Sequence, residues 1–380
     1  MGAIPSLAPK KTLVRGARQL LTLRGPAGPR RGAGMGALGI IHDGAVLIRD
    51  GKIVEAGPSR RLENISLARG ADEINAAGRI VLPGFVDCRT LHLAANGKPS
   101  RGLVNRVRPV LDGIARHGTT TVAASVDAAQ ERSSVMALLR VLGGLQGCPL
   151  DVITDCYVGE GQDLEAICNE LLPLLARRKA AQTVSVDWEG LDEAMAQRVV
   201  EQARRLGFGH TVCAKASGSG MRLALETRAA SVVVRRVDAA LMPDLSLARS
   251  VCILIPPSPF GDRAESHATR ALLDAGAPVA LASGFGFGHS PTYNMQMVIA
   301  LACAEMGLSP GEAIAAATIN GAHALGRGHW CGSLEPGKAA DLLLLNIADY
   351  RELPANLGAN HVHMALKNGR VIYREGEVAC

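Results

Sequence analysis

After Gly84 the sequence alternates, unit after unit, between short apolar runs and longer helical patterns, and this rhythm limits the fold more than any other feature. TTTVAAS, LDVITDCYV, TVSVDW, HTVCAKA, ASVVVRR, SVCILIPP and PVALASG read as strands, while LDEAMAQRVVEQARRLG and SHATRALLDAG between them read as helices. Strands that alternate with helices imply a parallel sheet with crossover helices. Such units over about 250 residues suit a closed (β/α)8 TIM-type barrel. A doubly wound sheet is the alternative, but no GxGxxG follows the first strand of the repeat. The run Gly284-Phe285-Gly286-Phe287-Gly288 comes late and has the wrong spacing.

The flanks have a different texture. TLVRGARQLLTL, GAVLIRDGKIVEAG and INAAGRIVLPG are short β-rich runs, and Asp50-Gly51 between VLI and KIV is a hairpin turn. Strands return near the other end in GKAADLLLLN and VHMALKNGRVIYREGEV, with Asn368-Gly369 as a second hairpin. We therefore expect residues 12–82 and 332–380 to form one small β-sandwich domain from both termini, around a barrel over 83–331 and behind a basic arm over 1–11. The Gly/Pro/Arg-rich stretch at 25–36 reads as a mobile loop.

Aromatic residues are only 3% of the chain, too few for base stacking or a sugar platform, which argues against nucleic-acid and glycan binding. The net charge of +6 is local: residues 1–36 carry Lys10, Lys11, Arg15, Arg18, Arg24, Arg30 and Arg31 with no acid, and the remainder is nearly neutral. Nine cysteines lie scattered without CxxC spacing, as expected of reduced thiols in a cytoplasmic protein. No apolar run is long enough to span a bilayer.

Several segments are specific enough to carry a family resemblance. VLPGFVD (81–87), ARHGTTTV (115–122), GAPVALASGFGFGHSPTYNMQMVIA (276–300), ATINGAHALG (317–326) and CGSLEPGKAADLLLLN (331–346) resemble imidazolonepropionase, within the amidohydrolase superfamily. The resemblance implies a barrel that holds one zinc or iron ion at the C-terminal ends of its strands. The ion activates water to open the ring of 4-imidazolone-5-propanoate, giving N-formimidoyl-glutamate. It also implies a homodimer.

The same alignment places unexpected residues at the site. Arg89 and Leu91 stand where the first-strand His-x-His would be, and His92 falls one residue late, which in a regular strand turns it to the opposite face. Cys213 takes the position of the next histidine, with Lys215 beside it, and Ala216 takes that of a glutamate. Arg235 replaces a further histidine, and Gly284 replaces the metal-bound aspartate. Guanidinium, aliphatic carbon and bare backbone offer no donor set for a cation. The expectation from these positions is a catalytically inactive pseudoenzyme with no catalytic residue, metal or cofactor, acting as a binding, scaffold or partner subunit.

Arg89, Lys215 and Arg235 would suit a small anionic ligand if they converge, helped by backbone donors of SGSG (217–220). Met295, Met297 and Met306 offer an adaptable surface for a protein partner. The alternative is a divergent hydrolase of cyclic C–N bonds, or a metal-independent barrel that binds or transforms an anion.

Overall fold

In the computed structural model the described residues are 11–93, 101–145, 148–256, 266–286 and 290–376, so all of the expected basic arm except Lys11 lies outside them. The β-rich flanks supply β1 (Lys11–Leu21), β2 (Ile40–Arg49), β3 (Lys52–Pro58), β4 (Asp72–Asn75) and β5 (Ile80–Pro83). The barrel strands are β6 (Phe85–Leu93), β7 (Thr119–Asp127), β8 (Asp151–Val158), β9 (Thr183–Asp187), β10 (Gly209–Lys215), β11 (Ser231–Val234), β12 (Val251–Leu254) and β13 (Val279–Leu281). The chain then returns as β14 (Leu342–Leu345), β15 (Val362–Lys367) and β16 (Arg370–Arg374).

Both ends of the chain meet in one sheet, ordered β16-β15-β14-β5-β1-β2-β3, with β4 beside β1. The joint is the antiparallel pair β5·β14, where Leu82 faces Leu343 and Ile80 faces Leu345. Val14, Leu20, Val46, Ile48, Val81, Leu342, Leu344 and Leu366 form an apolar cluster on this sheet. The two hairpins use the turn chemistry their residues suggest: Asp50 and Gly51 have φ of 51° and 77°, Asn368 and Gly369 of 47° and 69°. Positive φ at both central residues matches the right-handed twist of the strands. The turns are also tied together, since Ala340 N–H donates to Gly51 C=O and Ala340 C=O accepts from Gly369 N–H.

The strands β6 to β13 lie side by side in chain order, all parallel. At the seam, Gly284 N–H just past β13 donates to Arg89 C=O on β6 at 2.9 Å. Alternation along each strand divides two cores. Val122, Ala124 and Val126 of β7, with Val184, Val186, Val212 and Val232, pack against the helices. Ala123, Ile153, Cys213, Val233, Ile253 and Ala280 point into the barrel and fill it. Helix Glu193–Arg205 shows why the crossover segments fold as they do. Asp192 caps it by accepting from Met195 N–H, Ala196, Val199, Val200 and Ala203 bury one face, and Glu193 and Arg204 suit the helix dipole at opposite ends.

The stretch at 25–36, read from composition as a mobile loop, is instead built into the fold. Arg30 is buried and donates to the carbonyls of Leu23 (2.6 Å) and Pro26 (2.8 Å), its backbone exchanges hydrogen bonds with the Asn320 side chain, and Met35 is fully buried. Composition hides this because the glycines supply the turn while two polar side chains anchor it. Met295 and Met306 are likewise core residues rather than surface. Among the described residues no helix is long and apolar enough to cross a membrane, and the cysteines are free thiols.

Candidate active site

The C-terminal ends of the barrel strands replace apolar side chains with polar and charged ones, and the site follows from that change strand by strand. On β8 the inward positions after Ile153 are Asp155 and Tyr157, and on β9 they are Ser185 and Asp187. Asp155 is buried and satisfied, accepting from Ser125 Oγ of β7 and Thr183 Oγ1 of β9 at 2.7 Å each. Asp187 gathers the centre: its Oδ2 accepts from Tyr157 Oη at 2.6 Å and pairs with Lys215 Nζ at 3.0 Å. Asp187 Oδ1 is buried with no hydrogen-bond partner among the described residues. Glu189 lies at the rim, accepting from Ala216 N–H at 2.9 Å and sitting 3.9 Å from Lys215.

Arg89 enters this group from β6, buried, with its guanidinium 5.6 Å from the Tyr157 ring centre. Burial alone would lower its pKa, but Cys213, Tyr157, Asp155 and Asp187 around it turn the net shift upward. The Tyr157 hydroxyl is pushed well above the usual tyrosine range, first by burial and then by the Asp187 carboxylate it donates to. Burial raises the Cys213 thiol to about 11, so near neutral pH it stays protonated. Asp87, fully buried, is raised to about 6 by desolvation, although its Oδ1 accepts from Ser283 N–H at 3.0 Å.

The residues singled out from sequence do not all converge. The one-residue slip expected to turn His92 away is cancelled, because β6 shifts register twice between Asp87 and His92 and Leu91 adopts φ 49°. His92 therefore meets the barrel mouth, 3.6 Å from Asp127 and edge-on to Tyr157 with ring centres 4.9 Å apart. Leu91 is carried to the opposite side and packs in the core between strands and helices. Lys215 sits on a bulge with φ 47°, its C=O taking the N–H groups of both Arg235 and Arg236. Arg235 is exposed, while Arg89 and Lys215 face carboxylates. Within SGSG, Ser217 caps its own helix by accepting from Gly220 N–H, and Ser219 Oγ accepts from Trp188 Nε1 just past β9.

Nor do these side chains fit the ion that the resemblance implies. Among the described residues no group of three or more His, Cys, Asp or Glu is placed to hold a cation. Gly284 is a telling position, since its φ is +66° and a Cβ there would lie 2.8 Å from Ile255 Cγ2. A side-chain ligand at that point would carry the strain of the positive φ and would have to displace the Ile255 side chain.

The comparisons with known proteins run the length of the molecule. Residues 226–372 match the Amidohydrolase family. The chain is 32% identical to an imidazolonepropionase of Geobacillus kaustophilus, over 96% of this chain and 98% of that one, and 35% identical to one of Solibacter usitatus, over 94% and 97%. The chain belongs to the imidazolonepropionase family. Solved structures of E. coli guanine deaminase (TM-score 0.71, 17% identity, 97% of this chain and 100% of that one) and A. niger ochratoxinase (TM-score 0.71, 14% identity, 97% and 96%) share its fold.

Imidazolonepropionases are hydrolases, and this membership corrects the expectation of a catalytically inactive pseudoenzyme or scaffold. That reading counted what had vanished from the aligned positions of this imidazolonepropionase-family chain. It missed Asp155, Tyr157 and Asp187 on β8 and β9, and Glu189 in the turn just past β9. The signal was in the sequence: LDVITDCYV and TVSVDWEG carry Asp155, Tyr157 and Asp187 at alternate positions late in two predicted strands, where a barrel presents its functional groups.

Proposed function

We propose that this protein hydrolyses a ring C–N bond in a small cyclic amide of the imidazolone propionate kind, at the mouth of the barrel. The observation that carries the reading is the 32% and 35% identity to imidazolonepropionases over nearly the whole of both chains. Because the side chains do not suit a bound cation, the chemistry rests on the residues themselves.

Asp187 is the proton acceptor. Its Oδ2 is held by Tyr157 and Lys215, which leaves Oδ1 to take a proton from water. As the water oxygen bonds to the ring carbonyl carbon, negative charge builds on the carbonyl oxygen. Arg89 supplies a fixed positive charge for it in a site shielded from water, where such stabilisation is strong. The C–N bond then breaks, the ring nitrogen takes the proton from Asp187, and the carboxylate is restored. One water is consumed and no redox partner is required.

The test is turnover of imidazolone propionate by the purified full-length protein, with product followed by mass spectrometry before and after chelator treatment. We expect turnover that survives chelation and that Asp187→Asn lowers by roughly 10²–10⁴-fold. A folded protein that does not turn the substrate over would overturn the activity. Turnover that disappears with chelator and returns with zinc or iron would overturn the ion-free site.

A further inference from the structure

The opposite end of the barrel holds a cleft that the hydrolytic site does not use. It has a volume of about 1030 Å³ and lies beside the segments that precede β11 and β12, so it opens at the N-terminal ends of the strands. Three guanidiniums line it, those of Arg31, Arg228 and Arg249, together with the half-buried His323. Among the described residues that line it there is no aspartate or glutamate. Leu225, Leu247, Pro29 and Ala248 supply an apolar wall, and Leu247 is 83% exposed.

The charges here are not dispersed as surface arginines usually are. Arg31 is fixed by its Nη1 donating to Ser246 C=O at 2.6 Å and its Nη2 donating to Ala248 C=O. Two of its five N–H donors are thereby used, and its charge is held in place beside that of Arg249. Burial lowers the Arg31 pKa, and the neighbouring positive charge of Arg249 lowers it further. The fold thus keeps like charges together at some electrostatic cost. Elsewhere arginines find acids: Arg270 pairs with Glu312 and Asp274, and Arg15 with Glu63 and Glu73. Beyond its first 36 residues the chain is nearly neutral, so this concentration is not a general property of the surface.

An anion would remove that cost. A guanidinium offers paired donors that match carboxylate and phosphate oxygens, and three of them around one cleft favour more than one negative group. The apolar wall and a volume at the upper end of small-molecule sites favour an organic body over a bare ion. We propose that this cleft binds a small organic polyanion, bearing phosphate or carboxylate groups, at the end of the barrel remote from the hydrolytic site.

Isothermal titration calorimetry of the full-length protein tests this with pyrophosphate, ADP and citrate as probes, which separate the phosphate source from the carboxylate one. We expect saturable binding of at least one probe, with affinity falling as salt rises. Arg228→Ser combined with Arg249→Ser should weaken it by about tenfold or more. These two side chains are exposed, so the fold should survive their loss, whereas Arg31 is left intact because it bridges backbone carbonyls. Arg60→Ser with Arg61→Ser removes the same charge from exposed positions of the helix Ser59–Glu63, which packs on β2 and β3 of the composite sheet, and should leave binding unchanged. The proposal fails if no probe binds saturably. It fails equally if the Arg228/Arg249 pair of substitutions has no effect, or if the control pair weakens binding as much.

Discussion

At the lower end of the barrel Lys367 is buried between Asp151 and Asp341, 2.6 Å from each, and Asp341 also accepts from Asn368 N–H. At the upper end Lys215 reaches Asp187, which also receives the Tyr157 hydroxyl, and Arg89 lies close by. Both clusters bury a cation with carboxylates. The lower one is closed, for both oxygens of Asp341 are taken, and it locks β14 and β15 of the composite sheet to the start of β8. The upper one is left incomplete, with Asp187 Oδ1 and Asp87 Oδ2 buried and unpartnered among the described residues. A satisfied polar network specifies structure, whereas an unsatisfied one retains a capacity to bind or to move a proton.

The contrast can be broken at its strongest point first. Lys367→Met leaves Asp341 charged, buried and without its cation, so urea unfolding should show a loss of about 3–5 kcal/mol. A loss below about 1 kcal/mol would mean that the lower cluster is no lock. In the mouth, Asp187→Asn should do the reverse. Activity should fall by about 100-fold or more while the urea midpoint moves far less than in Lys367→Met.

Asp87 sharpens the comparison through pH. Its folded pKa of about 6 lies above its ordinary value of 3.8, so the folded state binds the proton more tightly. The resulting stabilisation is present in full below about pH 4 and is lost as pH rises through about 6, for a total of about 3 kcal/mol. Asp87→Asn cannot ionise, and its stability should be flatter over that window in pH-dependent urea melts. An identical slope in both proteins would show that Asp87 is not the group responsible.

Smaller effects follow from geometry and exposure. Gly284→Ala should cost roughly 1–2 kcal/mol, from its positive φ and the close approach of Ile255, and calorimetry would register it as a lower Tm. The pairs of Arg15 with Glu63 and Glu73 are exposed and screened by solvent, so Arg15→Ala should barely shift the urea midpoint. A larger shift there would show that surface pairing, not the buried lock, holds the β-rich flank.

Much of the fold could be read directly. The alternation after Gly84 announced a barrel, Asp50-Gly51 and Asn368-Gly369 announced hairpins, and LDEAMAQRVVEQARRLG announced a crossover helix. The site was only half legible. Position-by-position alignment found Arg89, Cys213 and Lys215 in the mouth, but it assumed an unbroken strand and so misplaced His92 and Leu91. Three register shifts within the nine residues of β6, two of them between Asp87 and His92, cannot be inferred from residue types alone.

Local chemistry is short-ranged, and that is why the sequence by itself determined the strands, helices, turns and the apolar faces they bury. Which charges would meet was decided only by closure of the barrel. Tyr157, Asp187 and Lys215 are up to 58 residues apart along the chain, yet parallel strands in register bring their side chains to one end. Coulomb forces between them act only once that closure has removed the intervening water, so their pairing belongs to the tertiary structure.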